Sequence, residues 1–395
     1  MSGVASYAAL LRLDHARRMT VSGFFARLPI SMNALAILLL VRHTSGDYTG
    51  AGIASGVYIL ASALSAPYKG RVIDRVGVVR GVLPFAIGHA ACLLGVALIA
   101  GLGAPLAAIV VSTAATGATL PTLMPVARAV WAQMIEPSGI PLQSAYALEG
   151  TIQEGIFVAG PLAVGAAYAI WPGAGLVLAA SMTLLGSAVY CRTPPVRGWR
   201  TRSIRGAGHA LRAPGLGGLL ALSFLTTSSY GILEVLLPAI GREEGLGRLV
   251  GLLLAMVAAG SATGSLLVGL IQAPYAPARA LAVTVPLLAV ATLPLAWASG
   301  TALLMVASFV SGLPLGGFFI FVFMACGDIA VDGTEIESQT WLTTAVAGGI
   351  AVGTTIGGLL ADHATQRDAV LVCAVLACAA ALVTIAWRSR SPLTA

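Results

Sequence analysis

The sequence predicts an all-α integral membrane protein: twelve transmembrane helices in two six-helix halves related by pseudo-two-fold symmetry. Three observations predict it. Twelve apolar stretches of membrane-spanning length run through the chain. Hydrophobic residues make up 58% of it and charged residues only 9%, where a soluble domain carries about 25% charge to stay hydrated, so no soluble domain is expected. A basic stretch rich in glycine and proline interrupts the pattern after the sixth apolar run.

A bilayer core about 30 Å thick takes about 20 helical residues to cross. The spans fall at residues 19–41, 49–68, 82–101, 105–126, 142–170 and 172–191, then at 216–240, 249–271, 281–298, 301–324, 340–361 and 369–387. The first holds Arg27, Pro29 and Asn33 without a small-residue cleavage site, so it reads as a retained helix and not a signal peptide. The third carries one histidine, His89, and the fifth carries Glu149, Gln153 and Glu154. In the seventh, Thr226, Thr227, Ser228, Ser229 and Tyr230 precede Glu234. Such hydroxyls either line a substrate cavity or satisfy their own helix. In the eleventh, Gly348, Gly349, Gly353, Gly357 and Gly358 permit close or sliding helix contact.

Residues 1–191 form the N-terminal half, 192–214 a cytoplasmic basic linker with Arg197, Arg200, Arg202 and Arg205, and 215–395 the C-terminal half. Residues 144–155 and 338–349 both run from a loop into a glycine-rich helix at the same offset, as repeats would. The net charge of +7 follows from topology and gives no reason to expect nucleic acid as a partner. With the N-terminus inside, seventeen basic residues, Lys69 and Arg128 among them, fall on the cytoplasmic side; only Arg42, Arg242, Arg248 and Arg367 fall opposite. Basic residues stay cytoplasmic during insertion, so a multi-pass protein of the inner (plasma) membrane with both termini cytoplasmic is expected. The five cysteines lack metal or redox spacing and read as packing residues; no metal and no cofactor are expected.

Between the second and third spans the chain reads Gly70-Arg71-Val72-Ile73-Asp74-Arg75-Val76-Gly77-Val78-Val79-Arg80. Gly70 and Gly77 allow a tight turn, Asp74 offers a carboxylate to a helix N-terminus or an Arg, and Arg75 and Arg80 offer charge-assisted pairs. This resembles the loop signature of the major facilitator superfamily at Gly70, Asp74, Arg75 and Gly77, with Val78 replacing a basic residue and Arg80 one position late. The resemblance implies that Asp74 holds the halves together on the cytoplasmic side. The acidic loop with Asp328, Asp332, Glu335 and Glu337 is expected to face Arg71, Arg75 and Arg80 there and complete a gate with Asp328 and Asp332. Gly155, Gly160, Pro161 and Gly165 in the fifth span resemble part of a glycine-proline pattern found in proton-driven exporters of that superfamily. Close helix packing explains the same residues.

A charge at the bilayer centre costs roughly 2.5–3.5 kcal/mol, so each should face a partner or a wet cavity. Arg27, Glu149, Glu154 and Glu234 meet that condition, although Glu149 and Glu234 sit where a span end could reach the interface. Glu154 lies about 140° around the helix from Glu149 and deepest in its span, which makes it the candidate proton carrier or, alternatively, the partner of Arg27. Arg27 is a counter-ion or an anion ligand, and His89 a proton shuttle or a hydrogen-bonded structural residue. Asn33 is the only asparagine and Gln153 the one glutamine clearly deep in a span, too few amides for a polyhydroxylated sugar. The expected function is secondary active transport by a monomer, resembling drug and metabolite exporters: proton-coupled export of small amphipathic molecules, with uptake of a small solute or a non-transporting sensor as alternatives. No metalloprotease, phosphate-loop or nucleophile-elbow motif points to an enzyme.

Overall fold

The computed structural model describes residues 3–46, 48–200, 209–243, 251–271 and 276–388. Arg202, Arg205 and Arg248 lie outside the described residues, as does the side chain of Arg242. A helix not anticipated from the sequence, α1 (Gly3–Arg12), precedes the first span. That span is a bent pair, α2 (Ala16–Arg27) and α3 (Pro29–Ser45); α4 (Tyr48–Val76) and α5 (Val78–Gly101) follow. The fourth span is a broken pair, α6 (Leu106–Thr119) and α7 (Leu123–Ile135), and α8 (Leu142–Tyr168) and α9 (Ala174–Cys191) close the first six. After the short α10 (Pro194–Gly198) come α11 (Leu216–Glu243), α12 (Gly251–Ile271), α13 (Pro277–Thr292), α14 (Thr301–Ile329), α15 (Glu335–His363) and α16 (Gln366–Arg388). Among the described residues eleven segments are long and apolar enough to cross a membrane. The polar α8 makes the twelfth, its 27 residues reaching about 40 Å.

Both broken spans break at proline. Pro29 has no N–H to return to the preceding turn and bends the chain after Arg27; Pro121 sits in the gap between α6 and α7. Two spans overrun the bounds read from the sequence furthest. Helix α4 continues past residue 68 to Val76, and the fourth span continues past residue 126 to Ile135. Lys69 and Arg128, expected in cytoplasmic loops, are therefore helical and buried. The reason lies in the apolar register, which persists on one face as Val126, Val130 and Trp131, all buried.

One face of the bundle carries the turn at Gly77 and the start of α8, together with most of the exposed arginines; it is called the basic face below. There a single apolar core joins the halves, with Ile73, Val126, Trp131 and Tyr146 from one and Phe318, Phe323, Ile336 and Leu342 from the other. Toward the opposite face the core divides. One cluster, built on Met32, Leu93 and Leu176, belongs wholly to the first half, and another, built on Leu236, Leu253 and Leu304, wholly to the second. The bundle is thus shut at the basic face and parted at the other.

Within each half the helices approach through small residues. A Cβ on Gly264 of α12 would overlap the Leu313 carbonyl of α14, and one on Gly353 of α15 would overlap the Ser228 carbonyl of α11. The glycine face of the eleventh span thus packs inside its own half. We expect Gly264→Ala to destabilise the folded protein by about 1–3 kcal/mol, the range for overpacking. A melting temperature in detergent equal to that of the parent would contradict this contact.

Candidate functional site

The break in the fourth span deprives its last carbonyls of regular helical bonds: Gly117 accepts the tighter Leu120 N–H at 3.2 Å and Thr116 the Thr119 hydroxyl at 3.0 Å. Side chains from two other helices answer it directly, with Asn33 of α3 behind them. His89 on α5 donates from Nδ1 to the Thr116 carbonyl at 2.8 Å, and Lys69 on α4 reaches the Gly117 carbonyl at 3.4 Å. With Nδ1 carrying the hydrogen, His89 Nε2 accepts from Asn33 Nδ2 at 3.0 Å, and Asn33 also donates to the Tyr58 hydroxyl at 2.9 Å. A carbonyl accepts only, so it fixes the tautomer. Asn33 and His89 are fully enclosed in the N-terminal half, and the structural reading of His89 is the one its contacts favour.

A second group lies nearer the basic face. Arg27 pairs with Glu149, and Glu149 Oε1 also accepts from Trp131 Nε1 at 2.8 Å. Arg27 Nε donates to the Gly23 carbonyl at 2.9 Å. Arg27 and Glu149 are 1% and 3% exposed, so neither reaches an interface. The alternative partner for Arg27, Glu154, makes no such contact. It points instead across to the other half, where Ser261 of α12 donates to its carboxylate at 3.1 Å.

Glu154 lines a cavity of about 20 Å³ between the halves, room for about one water, with Gln153, Tyr146 and Arg128 on one side and Ser265 and Phe323 on the other. Arg128 is the functional candidate that the loop assignment missed. Its guanidinium lies over the Phe323 ring, 3.3 Å from the centroid, and Nη2 donates to Gln153 at 3.3 Å. On α11 Tyr230 stands one turn before Glu234 and within electrostatic reach of Glu154. The neighbouring hydroxyls do not line it: Thr226, Thr227 and Ser228 bond to carbonyls of their own helix and Ser229 to Cys373 of α16.

At the basic face Asp74 caps α15. Its Oδ1 and Oδ2 accept the backbone N–H groups of Ile336 and Glu337 at 3.1 and 2.8 Å, a carboxylate on a helix N-terminus. Beside it Arg71 forks onto Glu337, with Nε to Oε2 at 3.0 Å. Three expectations are corrected here. Arg75, Arg80, Asp328 and Asp332 are exposed, and the inter-half pairing belongs to Arg71 and Glu337. The connection is one turn at Gly77, whose φ of 87° suits glycine, and not a loop. Gly70 is helical; a Cβ there would press on Thr340 and the Ile336 carbonyl, so it serves close approach between α4 and α15. Thr344 adds a bond to the Ala63 carbonyl at 3.0 Å.

The Major Facilitator Superfamily model matches residues 19–334. The chain belongs to the major facilitator superfamily. No curated protein sequence matches it. Solved structures of the superfamily fold do. The human organic anion transporter MFSD10 aligns at TM-score 0.72 and 16% identity over 93% of this chain and 99% of that one. A bacterial homologue of the iron transporter ferroportin, in an outward-facing state, aligns at 0.71 and 17% over 95% and 99%. The E. coli fucose:proton symporter FucP aligns at 0.68 and 13% over 99% and 100%.

Of the glycine-proline pattern in the fifth span, Gly160 abuts Ser31 of α3, whose hydroxyl bonds to the Ile156 carbonyl at 2.7 Å. Gly155 faces Phe24, Gly165 faces open space, and α8 runs through Pro161 without interruption. Packing accounts for Gly160. We expect Glu149→Gln, which strands a buried guanidinium, to cost about 3–5 kcal/mol, and Glu154→Gln, whose amide oxygen can still accept the Ser261 hydroxyl, about 1 kcal/mol or less. Equal losses of melting temperature in the two variants would reject this division of labour.

Proposed function

We propose that the chain is a proton-coupled secondary transporter of small amphipathic molecules. It works by alternating access around the cleft that Glu154 and Arg128 share. The observation that carries this reading is the divided core: one joint apolar cluster at the basic face, two separate ones toward the other. That is the shape of an outward-facing transporter, provided the basic face is cytoplasmic, as the distribution of arginines favours. Both termini are then cytoplasmic. Residues 1–191 and 215–395 act as the moving halves and 192–214 as their tether.

Glu154 is the proton carrier of this scheme. It sits between the halves, is half-buried, and meets the other half through one hydroxyl. Such a contact breaks cheaply when the halves rock. An inward-moving proton supplies about 2.3 kcal/mol per 100 mV. Direction follows from the substrate's charge. A cation competes with the proton at Glu154 and is exported by exchange; an anion is repelled by ionised Glu154, binds with the proton, and is taken up. FucP is a proton symporter by description, and MFSD10 an organic anion transporter. Proteoliposomes carrying a pH gradient should move ethidium or fluorescein in wild type and lose the gradient dependence in Glu154→Gln. Movement of neither dye, or gradient-driven movement that survives the substitution, would defeat the reading.

Asp74, Arg71 and Glu337 hold the cytoplasmic gate. Cys326, fully buried in the joint core behind that gate, is a native reporter. In a chain with the other four cysteines replaced by serine, Asp74→Asn with Arg71→Gln should raise maleimide labelling of Cys326 several-fold. Unchanged labelling would show that these residues do not hold the gate.

A further inference from the structure

We propose that Arg128 anchors a carboxylate of the transported molecule, so that the substrates are organic anions with an apolar body. The proposal rests on the cleft being the transport site, as argued above. Arg128 is 7% exposed and lines the cavity between the halves. The ring of Phe323 covers one face of its guanidinium, Gln153 takes Nη2, and Nη1 donates to no protein atom. Among the described residues no carboxylate lies within 4.0 Å of it. Glu149, the carboxylate best placed to neutralise it, is already engaged by Arg27 and Trp131.

A guanidinium cannot shed its charge, so burying one without a counter-ion is costly unless an anion arrives to meet it. The free N–H of Nη1 supplies a first bond without disturbing Gln153, and exchange of Gln153 for the second carboxylate oxygen completes the fork. Beside the charge stands an apolar wall in which Phe319 and Phe323 stack with centroids 6.5 Å apart. One charged end and one aromatic side describe a site for an amphipathic anion, and the same positive charge repels a cation.

Coupling follows from the neighbours. Around Glu154 the titratable groups are Arg128 on α7, Tyr146 on its own helix, and Tyr230 on α11 with Glu234 beyond it; α12 presents Ser261 and Ser265, and α14 only apolar side chains. Ionised Glu154 opposes an arriving anion and a proton removes the opposition. Proton and anion therefore bind together, and uptake is the direction this site favours.

The test uses 1-naphthoate and 1-naphthylmethylammonium, one ring system with opposite charges, against the purified full-length protein. Naphthoate should raise the melting temperature and the ammonium should not. Arg128→Gln should weaken naphthoate about tenfold or more, and Arg128→Lys, which keeps the charge but loses the fork, should restore part of it. Where Arg128→Gln fails to fold, Arg128→Lys with neutral 1-naphthalenemethanol as reference serves instead, since only the carboxylate should lose affinity. Equal stabilisation by both charged probes, stabilisation by neither, or naphthoate affinity indifferent to Arg128 overturns the assignment. Naphthoate binding that needs Arg128 but ignores Glu154 and pH leaves the anchor standing and removes the proton coupling. Gradient-driven movement of a cation that needs Glu154 but not Arg128 does the reverse.

Discussion

At hydrocarbon depth a backbone carbonyl must find its partner inside the protein, and the gap between α6 and α7 puts that requirement in the middle of the N-terminal half. Two consequences shape everything around it. Polar side chains from α3, α4 and α5 are committed to the gap: Lys69 and His89 directly, Asn33 and Tyr58 behind them. The break consumes these polar groups. The break also restarts the fourth span at Leu123, so α7 takes its own rotational phase and carries Arg128 to the seam between the halves. A continuous helix would need none of that capping and would set Arg128 at a different angle.

Charge in the site is then a matter of distribution. The N-terminal half buries two arginines, Arg27 and Arg128, and a glutamate on α8 that pairs directly with the first. Had Glu149 been shared, the cleft would present a neutralised, rigid network. Pairing Glu149 with Arg27, with Trp131 on its other side, locks α2, α7 and α8 together and leaves Arg128 without an ion pair among the described residues. One carboxylate on α8 is locked in an ion pair, and the other, five residues on, meets α12 through the Ser261 hydroxyl. Their different partners and burial, more than their sequence neighbourhood, separate the two roles.

Much of this was legible in the sequence. Twelve spans, the two halves and the inter-half role of Asp74 followed from hydropathy, the basic linker and one motif, because length and apolarity are local properties. Lys69 and Arg128 were not legible as buried residues. Loop charges locate span ends, and a basic residue near an end is read as loop; the signal that outweighs this is the buried register of Val126, Val130 and Trp131 continuing through Arg128. The choice of Glu337 over Asp328 and Asp332 as the partner of Arg71 was equally hidden. All are acidic residues of one short segment, and only the capping of α15 by Asp74 sets which of them turns toward α4. Likewise Gly70 looked like a turn residue because a contact with α15 leaves no local trace.

On the proposed reading the contacts at the basic face have to open as well as close, and their composition suits both. The joint core at the basic face brings apolar side chains of both halves together, and a seal made of apolar contacts alone would resist water entry in every cycle. Threading it with Asp74 on a helix N-terminus, Arg71 on Glu337 and Thr344 on Ala63 changes the balance. Each of these groups hydrates well when exposed, so opening replaces protein hydrogen bonds with water hydrogen bonds at a small net cost. Polar bonds between the halves thus specify the closed register while lowering the penalty for leaving it. The same logic applies to Glu154 and Ser261 deeper in the cleft, where the contact is a single hydrogen bond to a carboxylate. A lock made of replaceable bonds is what a transporter requires, since two conformations must lie within a few kcal/mol of each other for a modest ligand or proton binding energy to choose between them.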